Sequence, residues 1–215
     1  MLDLKKYISI GFLKTFILLL LYGIGLGIKI TMPEKNLWDQ TWIILIISFA
    51  LVYPFGASLR FHLTSLLIII LGFSVEWLGV HTGKIFGSYG YGENLGFKLL
   101  EVPPIIGLNW WIVVGGGLAI SKIIFPRFSH PWMIAPVFLL FLDFFMEPLA
   151  PVLGFWHWKD GIIPLQNFIA WGIIGGVFAW LLYRSSPEEN FPRAGTLYLV
   201  QLLFFGSLCL MHQWA

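Results

Sequence analysis

The chain has 215 residues, of which 58% are hydrophobic, 18% aromatic and only 11% charged, with a formal net charge of +2. A soluble domain of this size carries about 25% charged residues, so the composition excludes that class and points to a single all-α domain, 1–215, embedded in lipid. The small net charge without a basic run speaks against a nucleic-acid partner, and the lone Cys209 leaves no internal disulfide or cysteine-based metal site.

A helix needs about 20 apolar residues to cross the hydrocarbon core. In chain order the apolar runs predict seven transmembrane helices, near 10–28, 41–59, 63–82, 103–124, 132–152, 164–183 and 195–214. Lys5, Lys6 and Lys14 lead into the first. With no small-residue cleavage pattern after it, that run reads as an anchor helix, not a leader peptide. Breaks are marked by Met32-Pro33-Glu34-Lys35-Asn36, Pro126-Arg127 and Ser185-Ser186-Pro187-Glu188-Glu189-Asn190. Only Arg60, Phe61 and His62 separate the second span from the third, and Pro54 is expected to kink the second. With the N-terminus inside, the inner segments hold eight lysines and arginines and the outer ones five. This bias favours N-in and C-out, in a bacterial cytoplasmic membrane.

Two stretches resemble one another. Glu76 is followed by Gly87-Ser88-Tyr89-Gly90-Tyr91, Val102-Pro103, Trp110 and Gly115-Gly116; Glu147 is followed by Gly154-Phe155-Trp156-His157-Trp158, Ile163-Pro164, Trp171 and Gly175-Gly176. In both, the tryptophan falls seven residues after the proline. Asn109 and Asn167 lie nearby at different offsets. The expectation is a parallel repeat of units 63–124 and 132–183. Within each unit the alternating aromatics, Tyr89 with Tyr91 and Trp156 with Trp158, point the same way from a short extended segment. They suit the cover of a cavity between helices. Taken singly, each also fits an aromatic belt at the headgroups.

Glu76, Asp143 and Glu147 fall within or near the ends of spans, where a charge costs roughly 2.5–3.5 kcal/mol and therefore faces protein or water. Glu76 shares a helix face with Gly72, Gly79 and Gly83, which marks that face for close packing. Asp143 and Glu147 are four apart on one face. Two adjacent buried carboxyls share a proton, leaving one of them an acid. His81, His157, Asn109 and Asn167 belong to the same side of the membrane. No two histidines lie two to four apart, as di-iron oxygenases need, and no second acidic motif accompanies Asp143 and Glu147 to hold a magnesium diphosphate.

The order Glu76-Trp77-Leu78-Gly79-Val80-His81-Thr82-Gly83, Phe86-Gly87-Ser88-Tyr89-Gly90-Tyr91, Val102-Pro103 and Trp110 resembles the membrane family of carotenoid 1,2-hydratases. That family includes the gamma-carotene 1'-hydratase and bisanhydrobacterioruberin hydratase types. Leu142-Asp143, Glu147-Pro148, Gly154-Phe155-Trp156-His157-Trp158, Ile163-Pro164, Asn167-Phe168 and Gly172 extend the likeness, which covers roughly residues 70–180. The first two spans and the last carry no such signature. The resemblance implies addition of water across the terminal C1–C2 double bond of an acyclic carotenoid end group, giving a tertiary alcohol. It implies no redox cofactor, a carotenoid substrate drawn from the bilayer, and other carotenoid-pathway enzymes as neighbours.

The residues suit that chemistry. A buried carboxylic acid can protonate the olefin, and aromatic faces stabilise a cation by roughly 0.5–2 kcal/mol each. Tyr89, Tyr91, Trp110, Trp156, Trp158 and Trp171 are the expected wall. Asp143 is the expected proton donor, Glu147 its proton-sharing partner and Glu76 the water-orienting base, with Glu147 or His157 as other acceptors. Three other readings use the same residues. The first is a carotenoid end-group cyclase, which excludes water; the second is a small proton-coupled transporter. The third is a metal-binding membrane protein built on Glu76, His81, Asp143, Glu147 and His157.

Overall fold

Proline and glycine decide where the helices stop. Tyr53, held extended by the proline that follows it, ends the second helix at Val52. Ser58 then caps the third through a bond from the Phe61 amide (3.3 Å), and that helix closes on Gly83 in the left-handed conformation. The computed structural model describes residues 2–32, 38–186 and 191–213. Of the predicted breaks at 32–36 and 185–190, positions 33–36 and 187–190 lie outside the described residues.

Among the described residues, seven α-helices run in the order α1 (Leu2–Thr31), α2 (Thr41–Val52), α3 (Leu59–Thr82), α4 (Ile105–Ile124), α5 (Ala135–Met146), α6 (Leu165–Ser185) and α7 (Pro192–Gln213). Two three-residue strands, β1 (Tyr89–Tyr91) and β2 (Trp156–Trp158), interrupt them. Five of the helices, α1, α3, α4, α6 and α7, are long and apolar enough to cross a membrane, so the protein is an integral membrane protein.

The other two differ from expectation. α2 and α5 have 12 residues each, about 18 Å of helix against a hydrocarbon core of about 30 Å. Pro54 does not kink the second span; it terminates it. The fifth span, expected to reach 152, stops at Met146 because Pro148 has no N–H to continue the ladder. Residues 147–154 follow as turns.

α4 is the centre of the bundle. It packs against α2, α3, α5, α6 and α7, and 78% of its apolar window is buried, against 11% for α1 at the periphery. Small residues set the spacing. A Cβ on Gly107 of α4 would lie 2.3 Å from the Ile69 carbonyl oxygen of α3, so no larger side chain permits this approach. α3 also packs on α6, and α5 on both α4 and α6. Four helices thus enclose the end of the bundle where β1 and β2 lie.

The two extended segments do not form separate covers. They pair with each other as an antiparallel ribbon, Tyr89 opposite Trp158, Gly90 opposite His157 and Tyr91 opposite Trp156.

Candidate active site

The site starts from the alternation of the ribbon. Because successive residues of a strand face opposite ways, Tyr89, Tyr91, Trp156 and Trp158 all turn toward the helices, while His157 is left exposed. The ribbon is fastened on both flanks. The Gly92 amide donates to the Phe155 carbonyl (2.8 Å), the Asn94 side chain to the Leu153 carbonyl (2.8 Å) and the Lys159 amide to the Ser88 carbonyl (3.0 Å). A Cβ on Gly92 would sit 2.2 Å from the Gly154 carbonyl oxygen, so this crossing requires glycine.

Under the ribbon lie two carboxylates. Glu76, near the C-terminal end of α3, is 3% exposed. Its Oε2 accepts from the hydroxyls of Tyr89 (2.5 Å) and Tyr91 (2.8 Å), and its Oε1 accepts from the Trp110 indole (2.9 Å). Glu147, at the end of α5, is 2% exposed. Its Oε2 accepts from the indoles of Trp158 (2.8 Å) and Trp156 (3.2 Å), and its Oε1 from the Asn167 amide (2.8 Å). Burial, then the nearby charge of Glu76, pushes the Tyr89 and Tyr91 phenols well above the usual tyrosine range, so both remain O–H donors.

Both carboxylates open on one small cavity of about 20 Å³, room for a water. Tyr89, Tyr91, Trp156, Trp158 and Trp171 line it, as do Asn109 and Asn167. Phe86 and Ile106 complete the wall. Neither was expected as a wall residue from the sequence, although Phe86 opens the motif that carries the two tyrosines. Trp110 lies behind the wall, stacked on Trp171 with ring centroids 4.2 Å apart and planes 20° apart. Each of these two tryptophans lies seven residues after a proline, Pro103 and Pro164.

Asp143 is fully buried and does not line the cavity. The same Asn167 amide that holds Glu147 reaches its Oδ2 at 3.5 Å, and its Oδ1 has no hydrogen-bond partner. Asn167 thus joins the two acids that the sequence places one helical turn apart. His81 lies outside the cavity: its Nδ1 meets the Trp77 carbonyl (2.9 Å) and its Nε2 is 3.7 Å from Glu101. With His81 and His157 both turned outward, no three His, Cys, Asp or Glu residues among those described stand together as metal donors. The sequence reading also missed Asn94 and Lys98. Lys98 donates to the Tyr91 carbonyl and to Glu93 (2.8 and 2.7 Å). Their only sequence signal is polarity, shared with Glu93 and Glu101, in the segment between Tyr91 and Val102.

A family profile described as carotenoid biosynthesis protein matches residues 40–214. The chain belongs to the carotenoid biosynthesis protein family. The match takes in α2 and α7, which carried no recognisable signature, and omits α1. Among curated carotenoid proteins, the chain is 27% identical over 146 residues to the bisanhydrobacterioruberin hydratase of Haloarcula japonica, covering 63% of this chain and 47% of that protein. The chain therefore spans about half the length of the curated relative it matches. No solved structure matches it.

Proposed function

We propose that this member of the carotenoid biosynthesis family is a hydratase that adds water across the terminal C1–C2 double bond of an acyclic carotenoid end group. The observation that carries the reading is one cavity bearing two buried carboxylates, walled by aromatic faces and with room for a single water. The name of the Haloarcula japonica relative agrees with it. Acid, cation-stabilising wall and water are the three things olefin hydration needs, and no redox step is involved. Glu76, Asp143 and Glu147 supply the acid and base. Tyr89, Tyr91, Trp156, Trp158 and Trp171, with Trp110 behind them, face or support the tertiary carbocation. Asn109 and Asn167 sit where they can orient the water. His81 and His157 act at the rim of the site and not in it.

The polyene enters sideways from the bilayer. In this reading the chain passes through the membrane seven times, with the short α2 and α5 completing their passages through flanking turns, the N-terminus inside and the site toward the outer face. Units 63–124 and 132–183 form a parallel repeat, supported by the pairing of β1 with β2 and of Trp110 with Trp171.

The test is expression in bacteria that accumulate lycopene or gamma-carotene, followed by mass analysis of the pigments. A product heavier by one water is expected. A new pigment of unchanged mass identifies a cyclase instead, and unchanged pigments with proton-coupled uptake identify a transporter.

A further inference from the structure

The two carboxylates at the cavity occupy matching places in the repeat, yet they are held by different kinds of donor. Every group on Glu147 is an N–H: two indoles on Oε2 and an amide on Oε1. An indole donates only, and an amide N–H does not pass its proton on. A proton placed on Oε2 of Glu147 would be set against two N–H groups that cannot turn into acceptors.

Glu76 is different. Its Oε2 is held by two phenols, and a phenol both donates and accepts. The Tyr89 hydroxyl also has a second acceptor in reach, the Glu76 backbone carbonyl at 3.4 Å. When Glu76 carries a proton, Tyr89 can turn to that carbonyl and receive the carboxyl O–H. Glu76 therefore takes a proton without stranding a buried donor, whereas the N–H groups that hold Glu147 favour its anion.

The repeat is broken one turn before each acid. Gly72 stands four residues ahead of Glu76, where a Cβ would lie 2.8 Å from Trp110, and the aromatic ring fills the space. Asp143 stands four ahead of Glu147 and shares the Asn167 amide with it. The side that holds the second acid is thus the side whose cavity carboxylate is locked.

We propose that the two cavity carboxylates have fixed and different roles: Glu76 is the proton carrier, with Tyr89 as its relay, and Glu147 is the standing anion that faces the carbocation. This rests on the hydratase reading above. In the first step the olefin π pair takes the Glu76 carboxyl proton. A C–H bond forms at C2, the Glu76 O–H bond breaks, and C1 is left as a tertiary cation opposite Glu147. In the second step a water lone pair forms the C–O bond at C1. One proton of that water goes to Tyr89 as Tyr89 gives its own to Glu76, so the acid is restored. The sum is one olefin and one water to one tertiary alcohol, with nothing oxidised or reduced.

The experiment uses full-length protein in membranes from the carotenoid-accumulating strain, with rates followed against pH in H₂O and D₂O. If wild-type membranes form no hydrated pigment, the hydratase reading itself fails. If they do, Glu76→Gln should cut the rate by about a thousandfold. Tyr89→Phe should cut it by about ten- to a hundredfold and change both the shape of the pH–rate profile and the solvent isotope effect. Trp158→Phe, which removes one N–H donor from Glu147, should slow the reaction while leaving the profile shape and isotope effect as in wild type. Protein amount is matched by immunoblot, and if Glu76→Gln does not accumulate, the Tyr89→Phe and Trp158→Phe contrast decides alone. Glu76→Gln with near wild-type rate, or Trp158→Phe shifting the profile while Tyr89→Phe does not, overturns the assignment.

Discussion

Asp143 is the residue whose setting is hardest to explain as packing. It is wholly buried, one carboxyl oxygen has no partner and the other has only a long contact from Asn167. An unsatisfied buried polar group costs about 1–3 kcal/mol, so a residue kept only for stability would be better as leucine. Asp143→Asn keeps the shape and removes the acid. It is expected to lower formation of the hydrated carotenoid at least about tenfold while leaving the amount of protein in the membrane unchanged. Pigment analysis beside an immunoblot checks this, and full activity would remove Asp143 from the chemistry. At this scale the sequence was informative about identity and poor about place. Spacing put Asp143, Glu147 and Asn167 near one another. It did not say which of the three acids lines the cavity, and in the folded chain those are Glu76 and Glu147. Which of three acids reaches a hollow depends on side-chain direction, and a four-residue interval does not contain that.

Between elements, the α3–α4 contact does most to hold the site together. α3 carries Glu76 and α4 carries Trp110, and their bond of 2.9 Å needs the backbones as close as Gly107 and the Ile69 carbonyl allow. Gly107→Val would force these helices apart. Overpacking of this kind costs about 1–3 kcal/mol, so the variant is expected to melt at lower temperature in detergent and to lose activity, as Trp110 withdraws from Glu76. Thermal unfolding and pigment analysis report the two effects separately, and a variant with wild-type melting would show that the helices tolerate the separation. The ribbon follows similar logic. Alternation along 89–91 and along 156–158 was enough to predict that each pair of aromatics faces one way. That the two segments hydrogen-bond to each other was not legible, because 65 or more positions and the two helices α4 and α5 separate them in the chain.

For the whole molecule, the orientation proposed above from the lysine and arginine bias has the ribbon on the outer face. Asp160, exposed in the turn after β2, and Arg127, exposed between α4 and α5, lie at opposite ends of the bundle. In a Cys209→Ser background, Asp160→Cys should react with a membrane-impermeant maleimide added to intact cells and Arg127→Cys should react only after lysis. The reverse pattern would invert the orientation. The amino-acid sequence alone determined that this is an all-helical membrane protein, where its apolar runs lie, and which family it joins, because hydropathy and motif order are properties of the chain read in one dimension. Tertiary structure decided that two of the seven helices are short, that two distant strands form one ribbon, and that Glu76 and Glu147 are the acids at the hollow. Those outcomes depend on helix approach and side-chain direction, which arise only when glycine contacts, proline stops and indole and phenol donors are satisfied together in a medium without water.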